Sequence, residues 1–313
     1  MAIEGGPFRG SDADGFRATS GTLAGESETR RLNARKRWGK AFEALSIVMI
    51  AIALGTLVVL FVDVLRRGLP WLDWQFLTSF DSRFAERAGI KAAIYGTVWM
   101  MIFTIIFSFP LGVATGIWLE EYAADNRLTR FIQINISNLA GVPSIIYGLL
   151  GLQIFVRYME LGRSVIAGSL TMALVVAPII VIATQESIRA VPSGLREGSY
   201  ALGATKWETV RYHVLPTAFP GILTGNILAA SRAIGETAPL IMIGALTFVP
   251  FTPENLLDRF TVLPILIFNW TSKAQSDFHD LAAAGIVVLL VILLSLNAVA
   301  VGLRQHFRRK LRF

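Results

Sequence analysis

The sequence predicts an all-α integral membrane protein with six transmembrane helices, and three observations carry that reading. Of the 313 residues, 54% are hydrophobic and only 16% charged, with a mean hydropathy of +0.57, whereas soluble domains are about a quarter charged. Six separate apolar stretches reach the roughly 20 residues that a helix needs to cross about 30 Å of hydrocarbon. Lys and Arg are shared unequally between the segments joining them, as membrane topology demands.

The chain opens on a Gly/Ser/Asp-rich stretch that ends in the basic run Arg30, Arg31, Arg35, Lys36, Arg37 and Lys40. Such a stretch buries too little apolar surface to fold alone, so residues 1–40 are expected to form a disordered, basic cytoplasmic tail. The apolar run that follows begins too late for a secretory signal. The expected spans are 42–65, 92–119, 132–156, 164–188, 217–246 and 281–303. Pro110 and Gly112 lie in the second, and Gly221, Gly225, Gly235 and Pro239 in the fifth; small residues let helices approach closely within a bilayer. By this reading residues 41–91 hold the first span and an outer loop, 92–303 a core of five spans, and 304–313 a basic cytoplasmic C-terminus.

With the N-terminus inside, and counting from Arg30, the inner segments hold seventeen Lys and Arg and the outer ones nine. Both termini of this multi-pass cell-membrane protein are therefore expected in the cytoplasm. The formal charge of +7 follows from topology, and no nucleic-acid partner is expected. Residues 71–91 and 247–280 form the long outer loops, where Trp71, Trp74 and Trp270 suit the interfacial aromatic belt.

Several chemistries are absent from the sequence. There is no Cys, so neither a disulfide nor a Cys-ligated metal is available. Gly39–Lys40 lacks the rest of a Walker A loop, and no G-x-S-x-G occurs. His213, His279 and His306 are too scattered for an H-E-x-x-H site. Neither catalytic residues, nor a metal, nor a cofactor is expected.

Two segments carry positive signals. In the inner loop 190–216, Pro192 and Ser193 mark a helix start, Arg196–Leu202 reads as one short helix, and Gly203 breaks it. Thr205 then caps a second short helix from Lys206 to about Tyr212, which Leu215–Pro216 stops. Two short helices with a small-residue corner suit docking into a groove on another protein, or rest on lipid headgroups. The second segment is Ser231-Arg-Ala-Ile-Gly-Glu-Thr-Ala-Pro-Leu240, midway along the fifth span. On a helix Arg232 and Glu236 share a face with Gly225, Ala229 and Pro239. A charge near the bilayer centre costs about 3 kcal/mol, so the pair must face a cavity, a partner or each other. A guanidinium fixed there suits a tetrahedral oxyanion, because its donors match paired oxygens. Glu120 and Glu121 open an inner loop and are expected to be solvated, and Tyr147 reads as a packing residue.

The inner loop resembles the EAA loop of ABC-importer permeases. It matches at Glu197, Gly203, Leu215 and Pro216 with the family's spacing, and departs at Gly198, Ser199 and His213. Arg232-Ala-Ile-Gly-Glu-Thr-Ala-Pro239 is similar to the signature of the permeases of phosphate-specific (Pst) ABC importers, and its Thr-Ala-Pro points to the A-type subunit. Gly141-Val-Pro-Ser-Ile-Ile-Tyr-Gly148, Pro110-Leu-Gly-Val and Leu119-Glu-Glu-Tyr-Ala123 resemble other motifs of that family. The resemblance covers residues 89–313. It implies a type I ABC-importer permease fold with a cytoplasmic coupling helix, on which Glu197, Ala201, Gly203, Ala204, Lys206 and Trp207 would meet the ATPase. It also implies a homologous C-type permease as partner, an ATPase dimer that alone binds ATP, and a periplasmic or lipid-anchored phosphate-binding protein. Membrane lipid would surround the bundle. Inorganic phosphate would pass Arg232, Glu236 and Thr237. Two alternatives stay open: a permease for sulfate or molybdate, which Thr237–Pro239 opposes, and a permease-fold phosphate sensor or signalling scaffold.

Overall fold

The computed structural model describes residues 13–245 and 248–310. Residues 1–12 of the expected tail, Leu246 at the end of the expected fifth span, Thr247 at the start of the expected outer loop, and 311–313 of the expected C-terminus lie outside them. Among the described residues the regular structure is helical, and the only β pairing is an isolated bridge between Ser164 and Arg259. The chain divides after Asp63 into two units.

The first unit holds most of α1 (Ala13–Gly68), whose apolar part, with the turn Leu69–Trp71 that follows, makes the span Trp38–Trp71 of mean hydropathy up to 2.9. The helix starts earlier than the sequence predicts, running through residues 13–40 where a disordered tail is expected. Residues 23–45 are rich in Leu, Ala, Glu, Arg and Lys, all good helix formers. A helix already formed by the apolar span extends through them at one hydrogen bond per residue.

The second unit, from Val64 onward, is built on α3 (Lys91–Ile117), α6 (Val165–Arg189) and α9 (Leu215–Gly235). Met100, Met172, Val176, Ile180, Ala229 and Ala233 meet in its main core. Where lipid offers no hydrogen bonds, hydroxyls join the helices. Ser169 Oγ donates to the Met100 carbonyl (3.2 Å) or to its own turn at Val165 (2.8 Å), and Thr104 Oγ1 reaches the Ser169 carbonyl (3.4 Å). α12 (Ser276–Lys310) closes the bundle against α9, where Ser231 Oγ lies 2.7 Å from Asn297 Oδ1.

At one end, α2 (Trp74–Thr78), α11 (Leu263–Thr271) and the start of α12 form a cap over Phe76, Ile90, Leu266, Trp270 and Phe278. Trp270 does not belong to an interfacial belt. Its ring is fully buried in this cap and its Nε1 donates to Asp81 Oδ1 (3.0 Å). Trp74, by contrast, is exposed. Burial pushes the Asp81 carboxyl above its ordinary pKa of 3.8, partly offset by the Trp270 hydrogen bond, nearby Lys273 and the Ser82 amide.

Two of the expected spans are not single rods. The third is a bent pair, α4 (Arg127–Ala140) and α5 (Ser144–Gly151, prolonged by a π-helical turn to Tyr158), meeting at 102°. The bend falls at Gly141-Val-Pro143: Pro143 disfavours helix in the residue before it, and a glycine there adds freedom. Tyr147 is buried and its hydroxyl donates across the bend to the Leu139 carbonyl (2.8 Å). The fifth span begins earlier than expected and ends sooner, as one helix over Lys206–Gly235. Leu215–Pro216 does not stop it, because a π-helical turn at Val210–Val214 absorbs the frame change and Pro216 sits in the first turn after it. After Gly235 the chain breaks and resumes as α10 (Ala238–Ile243), which Gly244 terminates in the left-handed region.

Candidate translocation and coupling sites

The corner predicted in the inner loop is present, and its geometry follows from three local devices. α7 (Ser193–Ala201) ends where Gly203 takes φ +84°, a conformation that costs an L-residue with a side chain about 1–2 kcal/mol. Its amide donates back to the Tyr200 carbonyl (2.9 Å). Thr205 then opens α8 (Lys206–Thr209) with a reciprocal cap: Glu208 Oε2 accepts from the Thr205 amide (2.8 Å), and the Glu208 amide donates to Thr205 Oγ1 (3.3 Å). Beneath the corner the Ser199 and Thr209 hydroxyls share a buried hydrogen bond of 2.8 Å. Ser199, where the resembled family carries alanine, is thus a strut. The second short helix is no separate element, however; it is the first turn of the helix that continues to Gly235.

Glu197, Ala201, Gly203, Lys206 and Trp207 are exposed on this corner, with Ala204 half-buried between them. Leu202 at its tip is 91% exposed and Tyr200 stands beside it. A bare leucine flanked by aromatics on an otherwise polar end is the composition of a docking surface. His213, which breaks the resembled pattern, points outward and disturbs no packing.

Glu120 and Glu121 are not solvated, and sequence reasoning missed their role. They lie in the π-helical turn Trp118–Tyr122 that prolongs α3. Glu120 accepts from Arg189 Nε (2.9 Å), at the end of α6. Glu121, only 9% exposed, accepts from Arg196 Nη2 (2.8 Å) and Nε (3.2 Å). Arg196 also donates to the Val191 and Ile188 carbonyls (2.9 and 3.0 Å). The corner is thereby tied to two bundle helices, so a push on it reaches α3 and α6 directly. The available signal was charge balance: two carboxylates and two arginines stand at helix ends that must meet.

The second site is also placed differently from expectation. Arg232 occupies the last turn of α9 and Glu236 the first residue beyond it, with extended backbone at φ −77°, ψ 123°. Pro239 belongs to α10, not to the same helix face. The pair survives the break: Arg232 Nε lies 3.3 Å from Glu236 Oε1. The Arg232 side chain is 54% exposed and Glu236 18%. Glu236 therefore holds one edge of the guanidinium, and among the described residues the two terminal nitrogens make no hydrogen bond. Thr237, half-buried, caps α10 with its carbonyl accepting from Ile241 (3.0 Å).

Two motifs that stand far apart in sequence meet here. Gly148 of α5 faces Pro239, such that a Cβ on it would come within 2.7 Å of the Pro239 Cα. The bent third span thus supports the broken fifth one, and only glycine fits between them. Among the described residues no three His, Asp or Glu side chains come together as a metal site.

The profile of the family described as "Binding-protein-dependent transport system inner membrane component" matches residues 109–313. The chain belongs to this family. The permease is 33% identical to the probable ABC transporter permease protein YqgI of Bacillus subtilis over 273 residues, 83% of this chain and 93% of that one. It is 30% identical to the phosphate transport system permease protein PstA of Xylella fastidiosa (strain Temecula1) over 243 residues, 77% and 84% of the two chains. Its fold resembles that of a chain of the inward-facing MetNI methionine ABC transporter, with a TM-score of 0.58 at 17% identity, covering 69% of this chain and 96% of that one. The fold is that of type I ABC-importer permeases, with five to six membrane-spanning segments. The permease is a multi-pass, non-catalytic transmembrane subunit, ATP hydrolysis lying with a separate ATPase. Membership also implies a partner permease and a substrate-binding protein.

Proposed function

We propose that this permease forms, with a homologous C-type permease, the path by which inorganic phosphate enters the cell. The observation that carries the reading is Arg232: a guanidinium anchored by Glu236 on one edge, its other donors unengaged, at a break between two helices. A planar fork of this kind matches the paired oxygens of a tetrahedral oxyanion. Glu236 keeps the fork oriented, and its negative charge keeps phosphate from binding too tightly to leave. The likeness to PstA supports phosphate over sulfate or molybdate.

In this reading both termini and the α7 corner face the cytoplasm, where an ATPase dimer binds the surface around Glu197, Ala201, Gly203, Ala204, Lys206 and Trp207. A phosphate-binding protein, periplasmic or lipid-anchored, delivers substrate at the opposite end. ATP-driven closure of the ATPases pulls the corner, and Arg196 carries that movement into α3 through Glu121 and into α6 through the Ile188 carbonyl, the Arg189–Glu120 pair tying α6 to α3. The two bundles then open outward, and hydrolysis returns them.

The test is uptake of labelled phosphate by cells whose only copy of this permease is wild type or Arg232→Gln. Wild type imports phosphate even in excess sulfate. Arg232→Gln inserts normally yet imports about tenfold more slowly or worse, the loss of at least one charge-assisted contact. A normal rate in that variant removes Arg232 from the path, and competition by sulfate removes phosphate as the substrate.

A further inference from the structure

Cations stand on aromatic rings at both ends of the second unit, as Lys206 over Tyr122 and Arg211 over Trp207 show at the α7 end. At the α7 end Arg189 and Arg196 are neutralised by Glu120 and Glu121. At the capped end Arg83 Cζ lies 4.8 Å from the centroid of Phe84, Lys91 Nζ 5.1 Å from Phe80, and Lys273 Nζ 3.5 Å from Phe278. A ring face holds a cation in place without neutralising it and takes few of its hydrogen-bond donors. Among the described residues neither Arg83 nor Lys273 has a carboxylate within 4.0 Å, the limit of an ion pair.

Arg83 and Lys273 line one cavity of about 540 Å³, whose walls are completed by Asp81, Ser82, Phe248 and Asn269. Asp81 Oδ1 accepts from the Trp270 ring nitrogen (3.0 Å) and the Ser82 amide (2.9 Å), and its single negative charge offsets only one of the two cations. The Asn269 side-chain nitrogen, buried at the wall, has no acceptor among the described residues. The cavity thus offers excess positive charge and donors.

We propose that this cavity is an oxyanion-receiving site, which takes phosphate at the capped end before it reaches Arg232. The inference rests on the phosphate reading for the identity of its ligand, and on Arg83 and Lys273 for its location. Such a site raises the local concentration of anions at the mouth of the path, as clefts lined by one sign of charge do.

The experiment is equilibrium binding of labelled inorganic phosphate to the full chain in lipid nanodiscs. The variants are Arg83→Gln/Lys273→Gln, Asp81→Asn and Arg232→Gln. The double variant binds about tenfold more weakly, or not measurably, because two charge-assisted contacts are gone. Asp81→Asn, which keeps the accepting oxygen and removes the negative charge, binds more tightly. Arg232→Gln retains binding at the capped end. Phe84→Leu keeps both charges but frees Arg83 from its ring, and it weakens binding less than the double variant does. Equal affinity in wild type and the double variant overturns the proposal, as does failure of wild type to bind phosphate at all. Binding that obeys this pattern in a protein that imports no phosphate supports the site and removes the transport reading. Normal import with unchanged binding does the reverse.

Discussion

Arg196 holds three acceptors at once: the Glu121 carboxylate and the Val191 and Ile188 carbonyls. Removing one partner of such a part-buried pair leaves the other charge poorly compensated, which is more damaging than losing both. We expect Arg196→Gln and Glu121→Gln each to destabilise the protein, and the double variant to recover part of the loss. Chemical unfolding in mixed micelles should give a coupling of about 1–3 kcal/mol, within the range for contacting residues. Additive effects would mean that the pair ties nothing. Asp81 makes a second prediction at this scale. Its folded pKa is raised above 3.8, so its contribution is full below that value and is lost as pH rises through the folded pKa. Asp81→Asn keeps the Trp270 acceptor and should flatten that fall: near-neutral in effect at acid pH, stabilising at neutral pH, as read by thermal midpoints across the pH series. A midpoint lowered equally at every pH would show that the carboxylate itself is needed.

Among the elements, the corner at Gly203 and the continuous helix behind it are what the proposed coupling depends on. A separate second coupling helix would flex at Leu215–Pro216. The π-helical turn instead makes one rod of Lys206–Gly235, about 45 Å long at 1.5 Å per residue, reaching from the corner to Arg232. In the proposed reading, motion at the corner and motion at Arg232 then belong to one body. Gly203→Val should strain the corner by about 1–2 kcal/mol without preventing membrane insertion. In the assembled transporter its ATPase activity should persist while phosphate uptake falls; normal uptake per ATP hydrolysed would dismiss the corner as the coupling element. The bent third span acts at the same scale, since α5 supports α10 through Gly148 and Pro239.

For the whole molecule, the proposed path needs a second bundle. Arg232 is more than half exposed on the flank of its own bundle, where a charge would be costly against lipid. Its exposure is accounted for when a second bundle faces it. Purification in mild detergent should therefore recover a second polytopic permease and a Walker A ATPase with this chain, identified by mass spectrometry. Recovery of the chain alone, or with a kinase, would turn the reading toward a signalling scaffold.

Much of this was legible from residue type and order. Apolar run length marked the spans because hydrocarbon thickness is fixed. Gly203 and Thr205 marked the corner because a left-handed residue and a cap are local demands. The Arg232 and Glu236 partnership was readable from their spacing. What the sequence hid was whatever depends on a neighbour distant in the chain. Glu120 and Glu121 read as solvated because Arg189 and Arg196 stand more than sixty positions away. Trp270 read as interfacial because only the folded cap provides Asp81. Gly141 and Pro143 permit the 102° bend, but that it brings Gly148 against Pro239, beyond the helix break after Gly235, depends on a contact about ninety positions apart. Local chemistry thus determined what each segment is and where most helices stop, and tertiary packing decided which charges are neutralised and which remain open, because their partners lie far apart in the chain.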